Sequence, residues 1–161
     1  MAVRAIVYRD GKVLAVRHRE HPERWATVGG GLEAGEDLVS GLRREVIEET
    51  GVEPVVDRLL FVQQYYDSEH DCERLEFLFL VTNSEDFLDI DRSATTHGEL
   101  EIEEYAFIDP KAENLWPKFL GEVDLGRYVS EVLPVVPLTL RRGNTFSPSA
   151  SPFELNSRNR S

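Results

Sequence analysis

Residues 29–52 read GGGLEAGEDLVSGLRREVIEETGV: three glycines, an acidic turn, and a run with helical spacing. Leu38, Leu42 and Val46 recur every four residues and mark one apolar helix face, and Gly51 stands where a left-handed C-terminal stop is wanted. A helix is therefore expected from about Leu38 to Thr50. On it Glu45, Glu48 and Glu49 fall within an arc of roughly 100°, because residues three and four apart share a face. The ordinary explanation of such a cluster is a solvated acidic surface. Two details argue against it. Glu45 and Glu49 are like charges at i, i+4, a mildly repulsive spacing, and Glu49 points between the directions of Leu38 and Leu42, toward the core. A carboxylate aimed at a core is costly without a partner, and a bound cation would relieve both problems. All-oxygen carboxylate donors suit hard ions, Mg²⁺ first and Mn²⁺ second. Arg44, one turn before Glu48, is placed to orient that carboxylate by a charge-assisted hydrogen bond or simply to form a surface ion pair. Glycines at 29–31 permit close backbone approach by a ligand, although a glycine triplet alone can be a simple turn.

Outward from this segment the chain alternates strands and helices. Residues 2–18 predict a β-hairpin around Asp10-Gly11. Strands are expected at about 57–66 and 74–82, the latter being the apolar run from Leu75 to Val81, and again from Glu101 to Ile108. Residues 83–99 are polar and acidic and read as a surface loop. A helix or pair of helices is expected over 115–133. Val132 to Leu138 is an apolar segment that suits either an interface strand or packing on its own domain. After Leu140 the composition turns to Ser, Asn, Arg and Pro, which reads as a flexible tail over 141–161. Strands on both sides of a central helix indicate an α/β domain with a mixed sheet over 1–140.

The bulk numbers restrict function. A chain of 161 residues with 41% hydrophobic and 30% charged residues suits one globular domain. A formal charge of −12 disfavours nucleic acid and anionic membrane as partners. It also means that an anionic substrate needs metal ions or local Arg and Lys to invert the field. Cys72 is the single cysteine, so neither an intramolecular disulfide nor a cysteine zinc site is available. No stretch is long and apolar enough to cross a membrane, and the opening Met1-Ala2-Val3-Arg4-Ala5 resembles a strand more than a signal peptide. These features fit a cytoplasmic protein.

Gly30, Glu36, Arg44, Glu45, Val46, Glu48, Glu49, Gly51 and Val52 stand at the spacing of a Nudix box, and the chain resembles the Nudix hydrolases of the MutT type. The hairpin before the box and the tryptophan preceding the glycines extend the resemblance over roughly 1–135. The resemblance implies an α/β/α sandwich with a mixed central sheet. It also implies metal-dependent hydrolysis of a nucleoside diphosphate linked to another moiety, by attack of a metal-activated water. Glu45, Glu48 and Glu49 take the metal-binding and water-activating roles, Glu36 and Arg44 support them, and the Gly29 carbonyl completes the metal shell. A further acid is expected after the variable loop, with Glu101 the first choice, Glu99 the second, and Glu103 and Glu104 competing. Arg17, Trp25, Tyr65 and Tyr66 are candidate contacts to base or phosphate, and His97 a candidate second base, each with a plain alternative in core packing or surface exposure. Homodimers occur in proteins like these. Two departures stand out: Val28 where the family often has proline, and Gly41 where it often has alanine, the latter costing roughly 1 kcal/mol of helix stability. The competing functions are a catalytically silent Nudix domain that senses a nucleotide, and an isomerase of the isopentenyl diphosphate type. The latter would need Cys72, which lies between Asp71 and Glu73, where thiolate formation is disfavoured.

Overall fold

The computed structural model describes residues 1–68, 70–95, 98–140 and 146–148. The hairpin forms as expected, from β1 (Ala2–Arg9) and β2 (Lys12–His18), with Asp10 and Gly11 both at positive φ. Its two strands pair only near the turn, at Tyr8–Val13 and Arg9–Lys12. Beyond that they diverge, and the space is taken by the glycine loop. Val3 N–H donates to the Gly30 carbonyl at 2.9 Å and Ala5 N–H to the Val28 carbonyl at 2.8 Å. The loop thus runs beside β1 in place of a strand.

On one side β2 pairs with β3 (Trp25–Thr27), which pairs in parallel with the short β7 (Leu115–Trp116). β6 (Ile102–Ile108) lies antiparallel to β2. On the other side β1 is parallel to β5 (Cys72–Val81), which is antiparallel to the long β4 (Val56–Asp67). β4 is in turn parallel to β8 (Val136–Leu140), and β8 is antiparallel to β9 (Phe146–Pro148). The sheet is mixed, as the alternation of elements predicted. The apolar segment weighed as an interface strand pairs, over β8, with this chain's own β4. Part of the segment read as a tail is β9; the rest of 141–161 lies outside the described residues.

Alternation along β1 divides the core. Val3, Ala5 and Val7 face α1 (Leu38–Thr50), packing with Leu42, Val46 and Phe79. Leu42 and Val46 are wholly buried, and each such side chain is worth about 1.5–3 kcal/mol. On the opposite face Ile6 joins Phe61, Leu78, Leu80, Phe119, Leu120 and Leu125. That face is covered by a 3-10 turn at Lys118–Gly121 and by α3 (Leu125–Ser130). Of the helix or pair of helices expected over 115–133, the structure forms one short helix, α3, preceded by β7 and the 3-10 turn. The apolar residues there are spaced to fill the sheet face rather than to line one helix, and Pro117 separates β7 from the 3-10 turn. Within the acidic segment after β5, 3-10 turns form at Ser84–Phe87 and Arg92–Ala94, followed by α2 (Gly98–Glu101).

Candidate active site

The glutamate helix starts and stops where local chemistry dictates. Asp37 Oδ1 accepts from the N–H groups of Val39 and Ser40 at 3.0 Å each, and Gly51 closes the helix in the left-handed conformation. Directly before it, two glycines cradle two carboxylates. Gly29 has φ 132°, and a Cβ there would fall 2.2 Å from the Val3 carbonyl oxygen, so only glycine fits. Its N–H donates to Glu49 Oε2 at 2.9 Å. A Cβ on Gly30 would fall 2.4 Å from Glu45 Oε2, in the space the Glu45 side chain occupies. Gly31 has nothing within 4 Å of that position. Gly41 also has a packing reason, since a methyl there would press on Leu32 and on the Glu36 carboxylate.

Arg44 organises the exposed half of the cluster. Its Nε and Nη2 each donate to Glu36 at 3.0 Å, and its Nη1 to Glu45 Oε1 at 2.8 Å and to Glu48 Oε2 at 3.1 Å. A further bond from Nη2 reaches the Gly31 carbonyl at 2.9 Å. The hydrogen bond from Arg44 holds the Glu36 carboxyl below its ordinary range, while burial raises that of Glu45.

Glu49 lies deeper. It is 7% exposed, and burial pushes its carboxyl from 4.5 up to about 8, against the lowering effect of the Gly29 N–H and of Arg4. His18 Nε2 stands 3.8 Å from Glu49 Oε1, and the Tyr105 hydroxyl donates to the Glu49 backbone carbonyl at 2.5 Å.

Arg4 is a site residue that the sequence did not single out. Its Nε and Nη2 lie 3.2 Å from Oε1 of the wholly buried Glu76. Its Nη1 donates to the Gly29 carbonyl at 2.6 Å and to the Thr27 carbonyl at 3.3 Å. The Gly29 carbonyl, expected to complete a metal shell, is thus bonded to an arginine. A charged residue inside the apolar run from Leu75 to Val81 was the available signal, since a buried Glu76 demands a cation.

Arg4 and His18 lead from the helix into a cleft of about 690 Å³, lined also by Arg19, Arg24, Tyr65 and Trp116. Tyr65 meets Trp116 edge to face, with ring centroids 5.0 Å apart, and Tyr66 lines the cleft beside it. Arg17 and Trp25, named with these tyrosines as substrate contacts, do not line it and instead meet each other, the guanidinium 4.2 Å from the indole centroid. Of the acids after the variable loop, Glu101 lines the cleft from the end of α2 rather than from a strand. Glu104 pairs with Arg17 at 3.2 Å, and Glu103 is exposed. His97 and the side chain of Glu99 lie outside the described residues.

Among the described residues no three His, Cys, Asp or Glu side chains already converge as a metal cage; Arg44 stands between Glu45 and Glu48. The donors nevertheless suit a hard divalent cation. Three carboxylates share one helix face, and the most buried of them has, among the described residues, no lysine or arginine in direct contact to balance its charge.

A NUDIX domain family model matches residues 1–124. The chain is 35% identical over 77 residues to mouse diphosphoinositol polyphosphate phosphohydrolase 3-alpha, covering 48% of this chain and 45% of that one. It is 31% identical over 83 residues to an ADP-ribose pyrophosphatase of Methanocaldococcus jannaschii, covering 50% and 49%. The chain spans about half the length of these curated relatives. Among solved structures, a MutT protein from Bacillus halodurans superposes with a TM-score of 0.61 over 90% of this chain and 92% of that one, at 19% identity, a likeness of fold. A UDP-X diphosphatase gives 0.61 over 81% and 62%, at 26% identity. With a matching model over most of its length and the box residues gathered on one helix and its glycine loop, this chain belongs to the NUDIX family.

Proposed function

We propose that this protein hydrolyses a pyrophosphate bond in a nucleoside diphosphate linked to another moiety, with Mg²⁺, or Mn²⁺ in its place, held by Glu45, Glu48 and Glu49. The observation that carries this reading is Glu49: a buried carboxylate pushed to about 8, sharing a helix face with two further acids and lying 3.8 Å from His18, which lines an open cleft. A cation held there would supply a water of lowered pKa and neutralise charge developing on the phosphoryl oxygens. The chain's own residues do the positioning. Gly29 N–H fixes one Glu49 oxygen and leaves the other toward His18 and the cleft. Arg44 holds Glu45 and Glu48 on one side and takes its own orientation from Glu36. Glu101, at the cleft wall, is the additional acid best placed to accept a proton or a second ion. Tyr65, Tyr66 and Trp116 offer aromatic surface for a base. Cys72 opens β5 opposite Asp67 and is not among the residues lining the cleft, which disfavours the isomerase reading. One free cysteine suits the reducing cytoplasm. Among the described residues no helix is long and apolar enough to cross a membrane.

The test is a panel of ADP-ribose, nucleoside triphosphates, nucleotide sugars and dinucleoside polyphosphates, assayed with Mg²⁺ and with Mn²⁺. Turnover of at least one member that depends on the metal and is lost in E49Q supports the reading. Turnover of none, or undiminished turnover in E49Q, overturns it.

A further inference from the structure

The described residues include eleven arginines, and nine of them are committed to partners within the chain. Arg4, Arg9, Arg17, Arg43, Arg44, Arg58, Arg74 and Arg127 each pair with an acid, and Arg92 donates to the Ile102 and Glu103 carbonyls. Arg19 and Arg24 are the two whose side chains have no acid or carbonyl partner among the described residues, and both line the cleft. In a chain of net charge −12 with acids in excess of bases, two unpaired guanidinium groups at one cleft are not what chance pairing would leave. His18, His21 and His70, three of the four histidines in the sequence, line the same cleft.

The loop that carries these arginines is tied down. Arg19 N–H donates to the Glu101 carbonyl at 2.9 Å, His21 N–H to the His18 carbonyl at 3.0 Å, and Arg24 N–H to the His21 carbonyl at 3.3 Å. Asn114 Nδ2 holds the Glu23 carbonyl at 3.0 Å, and Trp25 N–H donates to the Asn114 carbonyl at 2.9 Å. The backbone is therefore anchored while both guanidinium groups have no acid or carbonyl partner among the described residues. A preorganised loop presenting planar cations is how proteins bind phosphate groups with little ordering cost. His18 joins the loop to the catalytic end, since it lies 3.8 Å from Glu49.

We propose that Arg19 and Arg24 form a second anion subsite, and that the substrate therefore carries phosphate groups beyond the diphosphate being cleaved. The required chemistry is a polyphosphorylated compound with three or more phosphates, whether strung in a chain, as in a dinucleoside polyphosphate, or mounted singly on a ring, as in an inositol pyrophosphate. The inference rests on cleavage of a diphosphate at the glutamate helix. Glu20, Asp67 and Glu101 also line the cleft. They set a limit on the anion the loop can attract, but Asp67 is engaged by Arg74 and His70.

The experiment compares wild type with R19Q/R24Q, both positions being exposed, so that folding is retained and is checked by thermal unfolding. Binding of inorganic tripolyphosphate, measured calorimetrically in EDTA, reads the subsite without turnover. We expect wild-type binding that weakens about tenfold in the double variant and about as much on raising salt from 0.05 to 0.5 M, the scale of two charged hydrogen bonds at a solvated rim. In kinetics, the ratio of kcat/KM for diadenosine pentaphosphate to that for ADP-ribose should fall about tenfold, through KM. The same ratio taken with a diphosphoinositol polyphosphate separates chain from ring phosphates. Equal tripolyphosphate binding in the two proteins, or equal losses on ADP-ribose and the polyphosphates, overturns the subsite. If nothing in the panel is hydrolysed while tripolyphosphate still binds through these arginines, the hydrolase reading fails and the subsite stands.

Discussion

Glu49 and Glu76 are both buried carboxylates, and both lie within reach of Arg4, yet the fold treats them oppositely. Glu76, on β5, is directly paired with Arg4. Glu49, on α1, receives one backbone N–H and, among the described residues, no lysine or arginine in direct contact, and burial pushes it to about 8. Arg4 connects the two: it holds Glu76 with one edge and the Gly29 carbonyl with the other, while Gly29 N–H holds Glu49. The difference separates an acid neutralised by the protein from an acid left to be neutralised by something else. The first builds structure, and the second is the acid proposed for the chemistry.

This contrast can be broken at either end. The largest effect is expected in E49Q, which keeps the side-chain shape and an acceptor for Gly29 N–H but removes the charge. Its kcat should fall by about 10³-fold or more with Mg²⁺, in a steady-state assay on whichever panel member the wild type hydrolyses. R4M removes the cation from the paired acid and should destabilise by about 3–5 kcal/mol, as read by chemical denaturation, because Glu76 is left buried and unpaired. The E76Q/R4M double variant should recover part of that loss.

The reach of the sequence differed between the two acids for a physical reason. Glu49 was legible because its helix has a period, and that period alone points it at the core. Arg4 was not, because it sits on a strand where a lone arginine reads as exposed and its partner lies 72 residues away. Arg17 and Trp25 were read as substrate contacts on residue type. Their mutual stacking depends on the pairing of β2 with β3, which local pattern does not state. Over 115–133 a helix or pair of helices was expected where a strand, a turn and one short helix form, because apolar residues that fill a sheet face from turns carry no single period. The box helix, hairpin and central strands were legible because each is amphipathic over its own length.

A smaller effect follows from linkage. Glu49 binds its proton more tightly folded than unfolded, so the folded state carries more protons between about pH 4.5 and 8, and the metal-free protein should lose stability as pH rises through that window. E49Q removes this contribution. It should be more stable than wild type at pH 8 by roughly 2 kcal/mol or more, and indistinguishable from it near pH 4, in denaturant titrations run with EDTA. The smallest effect is expected at the third glycine: G31A should change stability by under about 0.5 kcal/mol, whereas G29A, which would press on the Val3 carbonyl, should not fold normally.

The most direct test of the account is calorimetric titration of Mn²⁺ into metal-free protein at pH 7, in two buffers of different ionisation enthalpy. Wild type should bind with release of close to one proton, more tightly as pH rises, and E49Q should release none and bind at least about tenfold more weakly. Binding of equal strength in the two proteins, with no proton released by either, would contradict the assignment of Glu49 as the acid that the fold leaves for the metal.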